Sequence, residues 1–305
     1  MAAAEPGRPA RPLDVRGLAT IDLAHLDAVA ARLLRVDRKY LLTPREAQRL
    51  VDHLARDIRV LELEGRTAFR YASLYFDTAP AGIGESFRAA ATGRRRRVKV
   101  RTRGYLDTRR AWLEVKAPTG RDESEKRRIE LDWEAVAPGL GTTGSADGPG
   151  RTDRTAGAGS TGRADGPADP TALPGGAEAR DQLGAALSAV GSRVLPEELR
   201  GVLRTSYTRT TLALPREGAR VTVDSGLTWT DPVTSRELST PVVVVETKSG
   251  QSPGRADRHL WRLGHRPARI SKYAVGLSLM GLDESAAADN RWHRTLRTLY
   301  EAGQP

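Results

Sequence analysis

The chain has 305 residues, 39% of them hydrophobic, with 49 Lys or Arg against 38 Asp or Glu and a net charge of +11, a balance that points to polyanionic partners. It contains no cysteine, which excludes disulfides, zinc–thiolate sites and thiol nucleophiles. Aromatic residues make up only 5%, too few for an extended platform that stacks bases.

Residues 1–20, rich in Ala, Pro and Arg with no apolar run behind them, read as a disordered tail without a signal peptide. No stretch approaches the roughly 20 apolar residues of a membrane-spanning helix, so no membrane span and a cytoplasmic location are expected. A single domain is expected over 21–282. Leu23, Leu26, Val29, Ala30, Leu33 and Leu34 predict a short amphipathic helix over 22–34. Thr43-Pro44-Arg45-Glu46 predicts a capping box for a helix running to about Ile58. Strands are predicted over 67–78, 95–104, 111–116 and 126–133, with a helix over 81–91 between the first two. From Pro138 to Gly176 the composition turns to Gly, Thr, Ala, Asp and Pro, which predicts a flexible insertion. Beyond it the pattern predicts a helix over 179–190 and strands over 201–214, 220–224 and 241–248. Helices over 255–263 and 271–280 follow, and then a tail over 283–305 with an amphipathic helix at 284–302.

The strands share one pattern. Lys99, Arg101 and Arg103 alternate with Val98, Val100 and Thr102, so one face of that strand is cationic and the other apolar. The alternation returns in Arg35, Asp37 and Lys39; Glu114 and Lys116; Lys126, Arg128 and Glu130; Tyr207 and Arg209; Arg220, Thr222 and Asp224; and Glu246 and Lys248. Solvated antiparallel sheets also carry charged faces. Here, however, cations outnumber acids roughly two to one, and like charges on paired strands repel, so converging faces would need an anionic guest. Five of the six lysines occupy these faces and the sixth, Lys272, lies in ISKY, which reads as a demand for a compact ammonium where arginine is otherwise the rule. About eight such strands predict an α+β fold: a closed eight-stranded antiparallel β-barrel tunnel, charged inside, with helices packed on the outside.

Arg35-Val36-Asp37-Arg38-Lys39, Lys99-x-Arg101-x-Arg103, Glu114-x-Lys116, Lys126-x-Arg128, Tyr207-x-Arg209, Arg220-x-Thr222-x-Asp224, Glu246-x-Lys248 and Ser271-Lys272-Tyr273 occur in this order. Together they resemble the VTC domain, the polyphosphate polymerase branch of the CYTH-like triphosphate tunnel metalloenzymes, from about Arg35 to Met280. The resemblance implies a tunnel that binds ATP and a divalent metal, Mn or Mg, and extends inorganic polyphosphate. Carried over by position, it implies catalytic roles for Lys39, Arg101, Arg103, Lys116, Arg209 and Lys248. It implies phosphate binding by Lys99, Lys126, Arg128, Arg220, Lys272 and Tyr207, and metal binding by Glu246 with Glu114 and Glu130 as helpers. Relatives that hydrolyse triphosphate carry an acid where Arg35 stands, so the departure favours the polymerase branch over a two-metal hydrolytic site. A tunnel triphosphatase or nucleotidyl cyclase, and a polyphosphate-binding module without turnover, are the alternatives.

Transfer between phosphates needs no general base, because the acceptor oxygen is already ionised. Consistent with this, none of His25, His53, His259, His265 and His293 falls in a charged-face strand. Nothing resembles a recognition helix or groove-reading ribbon, so duplex nucleic acid is not an expected partner.

Overall fold

A computed structural model describes residues 12–30, 36–78, 84–92, 94, 97–119, 123–141, 169, 171–281 and 295. The strands are β1 (Thr20–Ile21), β2 (Val36–Leu42), β3 (Arg59–Leu61), β4 (Ala68–Asp77), β5 (Lys99–Tyr105), β6 (Arg110–Thr119), β7 (Glu123–Leu131), β8 (Arg200–Leu214), β9 (Ala219–Thr230), β10 (Glu237–Ser239) and β11 (Val243–Ser249). The helices are α1 (Leu23–Ala30), α2 (Pro44–Leu54), α3 (Glu85–Ala91), α4 (Trp133–Val136), α5 (Gly176–Ala189), α6 (Arg255–Arg262) and α7 (Lys272–Leu279). Arg35, the tail before residue 12, most of the insertion and, apart from Thr295, the helix expected over 284–302 lie outside the described residues.

The expected strands are present with shifted ends, and β9 runs six residues past the predicted Asp224, to Thr230. The main sheet has the order β2-β11-β9-β8-β4-β5-β6-β7, every neighbour antiparallel. β3 and β10 add to β8 and β9, and β1 pairs with β3 in parallel. Among the described residues β2 and β7 end the path without pairing to each other, so the hydrogen bonding gives an open sheet where a closed barrel was expected. The sheet nevertheless curls. Lys116 on β6 lies within electrostatic reach of Asp37 and Lys39 on β2 and of Glu246 and Lys248 on β11, at the far end of the order. Register shifts in β4 and β8, with Gly226 at φ 63° opposite the second, supply local bends of the kind that extra residues impose on a strand.

The convex side is covered as the alternation predicts. Tyr40, Leu42, Val221, Val223, Val243 and Val245, out of phase with the charges, bury against Leu50, Val51 and Leu54 of α2 and Leu260 of α6. The capping box that starts α2 is present, with Thr43 N donating to Glu46 Oε2 at 2.8 Å and Glu46 N to Thr43 Oγ1 at 3.3 Å. Leu74, Val100, Leu113 and Val115 pack against Leu183 and Leu187 of α5, together with Leu140 and Leu173 from the margins of the expected insertion.

One helix departs from the expected outer layer. α7 packs Tyr273, Ala274 and Leu277 against Tyr75, Leu203, Trp229, Val242 and Val244. These residues share strand faces with the cations: Tyr75 pairs across from Arg101, and Val244 stands two residues from Glu246. α7 therefore fills one end of the concave side, because that end of the face is apolar and would otherwise meet water.

Candidate functional site

The register sets charged side chains beside one another in rows. Lys99, Lys116 and Lys126 stand opposite each other on β5, β6 and β7, and Arg101, Glu114 and Arg128 form the next row. On the other flank Asp37, Lys248 and Arg220 are aligned across β2, β11 and β9, followed by Lys39, Glu246 and Thr222. Arg209 on β8 is opposite Asp224 on β9.

Three carboxylates organise these cations. Glu114, 2% exposed, contacts Arg101 at 2.6 Å, Lys126 at 2.5 Å, Arg128 at 2.9 Å and Arg103 at 3.9 Å. Burial opposes its charged form, but Arg101, Arg103 and Lys126 outweigh that and hold its carboxyl far below the usual range. Asp224 accepts from Nε and Nη2 of Arg209 at 2.6 and 2.9 Å and binds Lys272; Arg209 and Lys272 overcome its burial and lower its pKa to about 2. Glu246 pairs with Lys248 and, at 3.6 Å, with Lys39, while Lys248 reaches Asp37 at 2.9 Å. Burial disfavours its charge as well, yet Lys248 and Lys39 keep its carboxyl well below the ordinary value.

Lys99 and Lys116 complete the set. Lys99 donates to Ser271 Oγ at 2.9 Å, and burial together with the repulsion of Arg97 and Lys116 lowers its pKa to about 7. Lys116 makes no ion pair among the described residues, and its pKa falls chiefly through burial. Tyr207 stacks on Tyr71 at 5.4 Å, accepts from Arg103 Nη2 at 3.5 Å and lies under the Lys272 ammonium at 4.4 Å. Although buried, its phenol has a lowered pKa because Arg103 and Arg209 favour the phenolate.

Lys39, Lys99, Arg101, Arg103, Lys116, Lys126, Arg128, Tyr207, Arg209, Arg220, Glu246, Lys248 and Lys272 are thus gathered on one face. All three expected metal ligands are paired with cations, Glu246 with Lys248 and Lys39. The four cations around Glu114 occupy its carboxylate, and Glu130, largely exposed, pairs with Arg110 at 2.8 Å. No group of three His, Asp or Glu suited to a metal is present among the described residues. Asp37 shares the Lys248 ammonium with Glu246.

The sequence reading missed Ser73, Thr205, Tyr71 and Tyr75. Ser73 Oγ, Thr205 Oγ1, Thr222 Oγ1 and Arg103 Nε are buried without a hydrogen-bond partner. Ser73 lies opposite Thr205 and Arg103, and Thr222 opposite Glu246, so all four residues belong to the charged face. Their shared parity with Tyr71 and Tyr207 was visible in the sequence, but neutral hydroxyls alternating with apolar residues carry no charge signal.

Behind this face, Asp257 on α6 is fully buried. It accepts from Tyr40 Oη at 2.7 Å, Thr247 Oγ1 at 2.6 Å, Ser249 Oγ at 3.1 Å and Gly254 N at 2.9 Å. It therefore ties β2 and β11 to one helix and holds Lys39, Glu246 and Lys248 in register.

Several solved structures are distantly similar. A Hippeastrum protein, HpAC1, named as an adenylyl cyclase and described as having a dominant triphosphatase activity, is 17% identical with TM-score 0.42, over 80% of this chain and 96% of that one. PH1012 from Pyrococcus horikoshii OT3 is 9% identical with TM-score 0.34, over 76% and 88%. A Vibrio parahaemolyticus protein named as an adenylate cyclase is 11% identical with TM-score 0.32, over 87% and 98%. No curated protein matches the chain. The sequence does match the VTC domain family over residues 34–281, the span that contains every strand of the charged face, and the chain belongs to that family.

Proposed function

We propose that the protein is a polyphosphate polymerase. The curled sheet acts as a basic tunnel in which the terminal phosphoryl group of ATP passes to the end of a growing inorganic polyphosphate chain. The observation that carries this reading is the set of buried hydroxyls without hydrogen-bond partners, Ser73 Oγ, Thr205 Oγ1 and Thr222 Oγ1, on the face where cations outnumber carboxylates. An unsatisfied buried polar group costs about 1–3 kcal/mol, and a row of three lysines adds repulsion. A chain of phosphates, rich in acceptor oxygens and negative charge, relieves both. Membership of the VTC domain family supports polymer synthesis over other uses of such a face.

In this reading Lys99, Lys126, Arg128, Arg220, Lys272 and Tyr207 hold phosphates. Lys39, Arg101, Arg103, Lys116, Arg209 and Lys248 surround the transferring group. An oxygen of the acceptor's terminal phosphate attacks the γ-phosphorus, the bond to the β–γ bridging oxygen breaks, and ADP departs. The acceptor is already anionic, so the protein's task is to orient two polyanions and neutralise the charge that builds on the equatorial oxygens. The donor set fits a hard divalent cation such as Mg or Mn only in part: Glu246 and Asp37 would hold it, with substrate phosphates providing further oxygens. When bound it would add positive charge beside the transferring group.

The test is incubation of the purified protein with ATP and Mn or Mg, with products resolved by chain length and by released phosphate. Polyphosphate ladders are expected. Orthophosphate without chains would replace this reading with a tunnel triphosphatase, and unchanged ATP with retained polymer would replace it with a binding module.

A further inference from the structure

The free edge of β2 leaves a seam in the curled sheet, and the segment between α6 and α7 crosses it. Ala268 N donates to Lys39 O at 2.7 Å, and three residues later Ser271 Oγ accepts from Lys99 Nζ at 2.9 Å. Residues 264–271 therefore lead from the outer helix α6 to the charged face. Along this path Arg262, Arg266 and Arg269 are all exposed. Arg255 and Arg258, earlier on α6, pair with Asp57 and Glu217. Among the described residues, by contrast, Arg262 and Arg266 bond only backbone carbonyls, of Arg258, Trp261 and His265, and Arg269 has no ion pair. Three guanidiniums without carboxylate partners thus continue the cationic surface outward from the seam.

We propose that Arg262, Arg266 and Arg269 form an external track that holds a polyphosphate chain where it leaves the seam. The proposal rests on the polymerase reading for the identity of the anion. Continuity with Lys39 and Lys99, sign of charge and the absence of carboxylate partners favour a linear polyanion of phosphoryl units. Each guanidinium can present two N–H groups to adjacent phosphoryl oxygens, and exposed side chains can follow a flexible chain without a fixed register. The track should matter for long chains and not for an anion of three phosphates, which the interior face accommodates alone.

The experiment compares inorganic tripolyphosphate with long-chain polyphosphate by titration calorimetry on the full chain carrying Arg262→Gln, Arg266→Gln and Arg269→Gln together. Affinity for the long chain is expected to fall about tenfold, as for the loss of three exposed charge contacts, with tripolyphosphate affinity unchanged. A control with Arg180→Gln, Arg193→Gln and Arg200→Gln, on and after α5, the helix packed on β6 and β7, removes the same charge from another part of the surface and is expected to keep long-chain affinity. An equal loss in the control would overturn the track in favour of a net-charge effect. Unchanged long-chain affinity in the track variant, or an equal loss for tripolyphosphate, would overturn it directly. If the track variant instead loses binding only to phosphatidylserine vesicles, the surface belongs to a membrane and the proposal fails. Failure of the wild-type protein to bind tripolyphosphate would count against the polymerase reading itself.

Discussion

Lys248 shows why charge alone does not define a position on this face. Its ammonium lies between Asp37 at 2.9 Å and Glu246, with Arg220 opposite on the next strand. A compact ammonium can turn its three hydrogens to both carboxylates, whereas a planar guanidinium needs more width and forks toward one. Lys248→Arg and Lys116→Arg are expected to lower kcat about tenfold or more while leaving the thermal midpoint close to wild type, as steady-state kinetics and calorimetry would show. Near-normal turnover by both would remove the argument from lysine geometry. Lys99 makes a separate prediction. Its folded pKa of about 7 lies below the ordinary 10.5, so between those values the unfolded chain binds a proton that the folded chain lacks. The contribution of Lys99 to stability therefore rises with pH across that window. An anion beside it favours the charged form, so tripolyphosphate binding near pH 8 should take up protons, read as enthalpies that vary with the buffer's ionisation enthalpy. Lys99→Met should remove more of this uptake than Lys126→Met, whose lysine is lowered only to about 8 by burial.

At the scale of elements, α7 is the least tolerant piece. A Cβ on Gly276 would meet Trp229 Cδ1 at 2.1 Å and Leu203 Cδ2 at 2.7 Å, while Trp229 Nε1 donates to Lys272 O at 2.8 Å. Gly276→Ala is expected to cost about 1–3 kcal/mol by overpacking and to weaken tripolyphosphate binding by shifting Ser271 and Lys272. Denaturant midpoints and titration calorimetry would check both; a neutral variant would mean that α7 sits elsewhere. The helix also marks what could be read from the chain. Period-two alternation identified the face that carries Lys99, Arg101 and Arg103, and the Thr43-Pro44-Arg45-Glu46 capping box identified α2. Alternation does not say what covers a face, so the placement of α7 over Tyr75, Leu203 and Val244 on the charged side had no local signal. Leu140 and Leu173 are single apolar residues in polar surroundings, and only α5, arriving from elsewhere in sequence, makes them core. Glu114 was legible as an inward carboxylate, but four cations gathering on it is a property of three strands together.

At the scale of the molecule, the curl of the sheet converts separate charged strands into one field. β2 and β6 lie six places apart in the strand order, yet Lys39 and Lys116 influence each other. Cations so arranged repel until an anion enters, so a polyphosphorylated ligand should stabilise the whole fold, by about 2.7 kcal/mol at a hundredfold excess over its Kd. The most direct measurement is titration calorimetry of inorganic tripolyphosphate into the wild-type chain and into Lys39→Met with Lys116→Met. The account predicts one site per chain in the wild type and loss of at least tenfold in affinity when both lysines are removed. Absence of binding, or binding that survives the loss of both lysines unchanged, would contradict it.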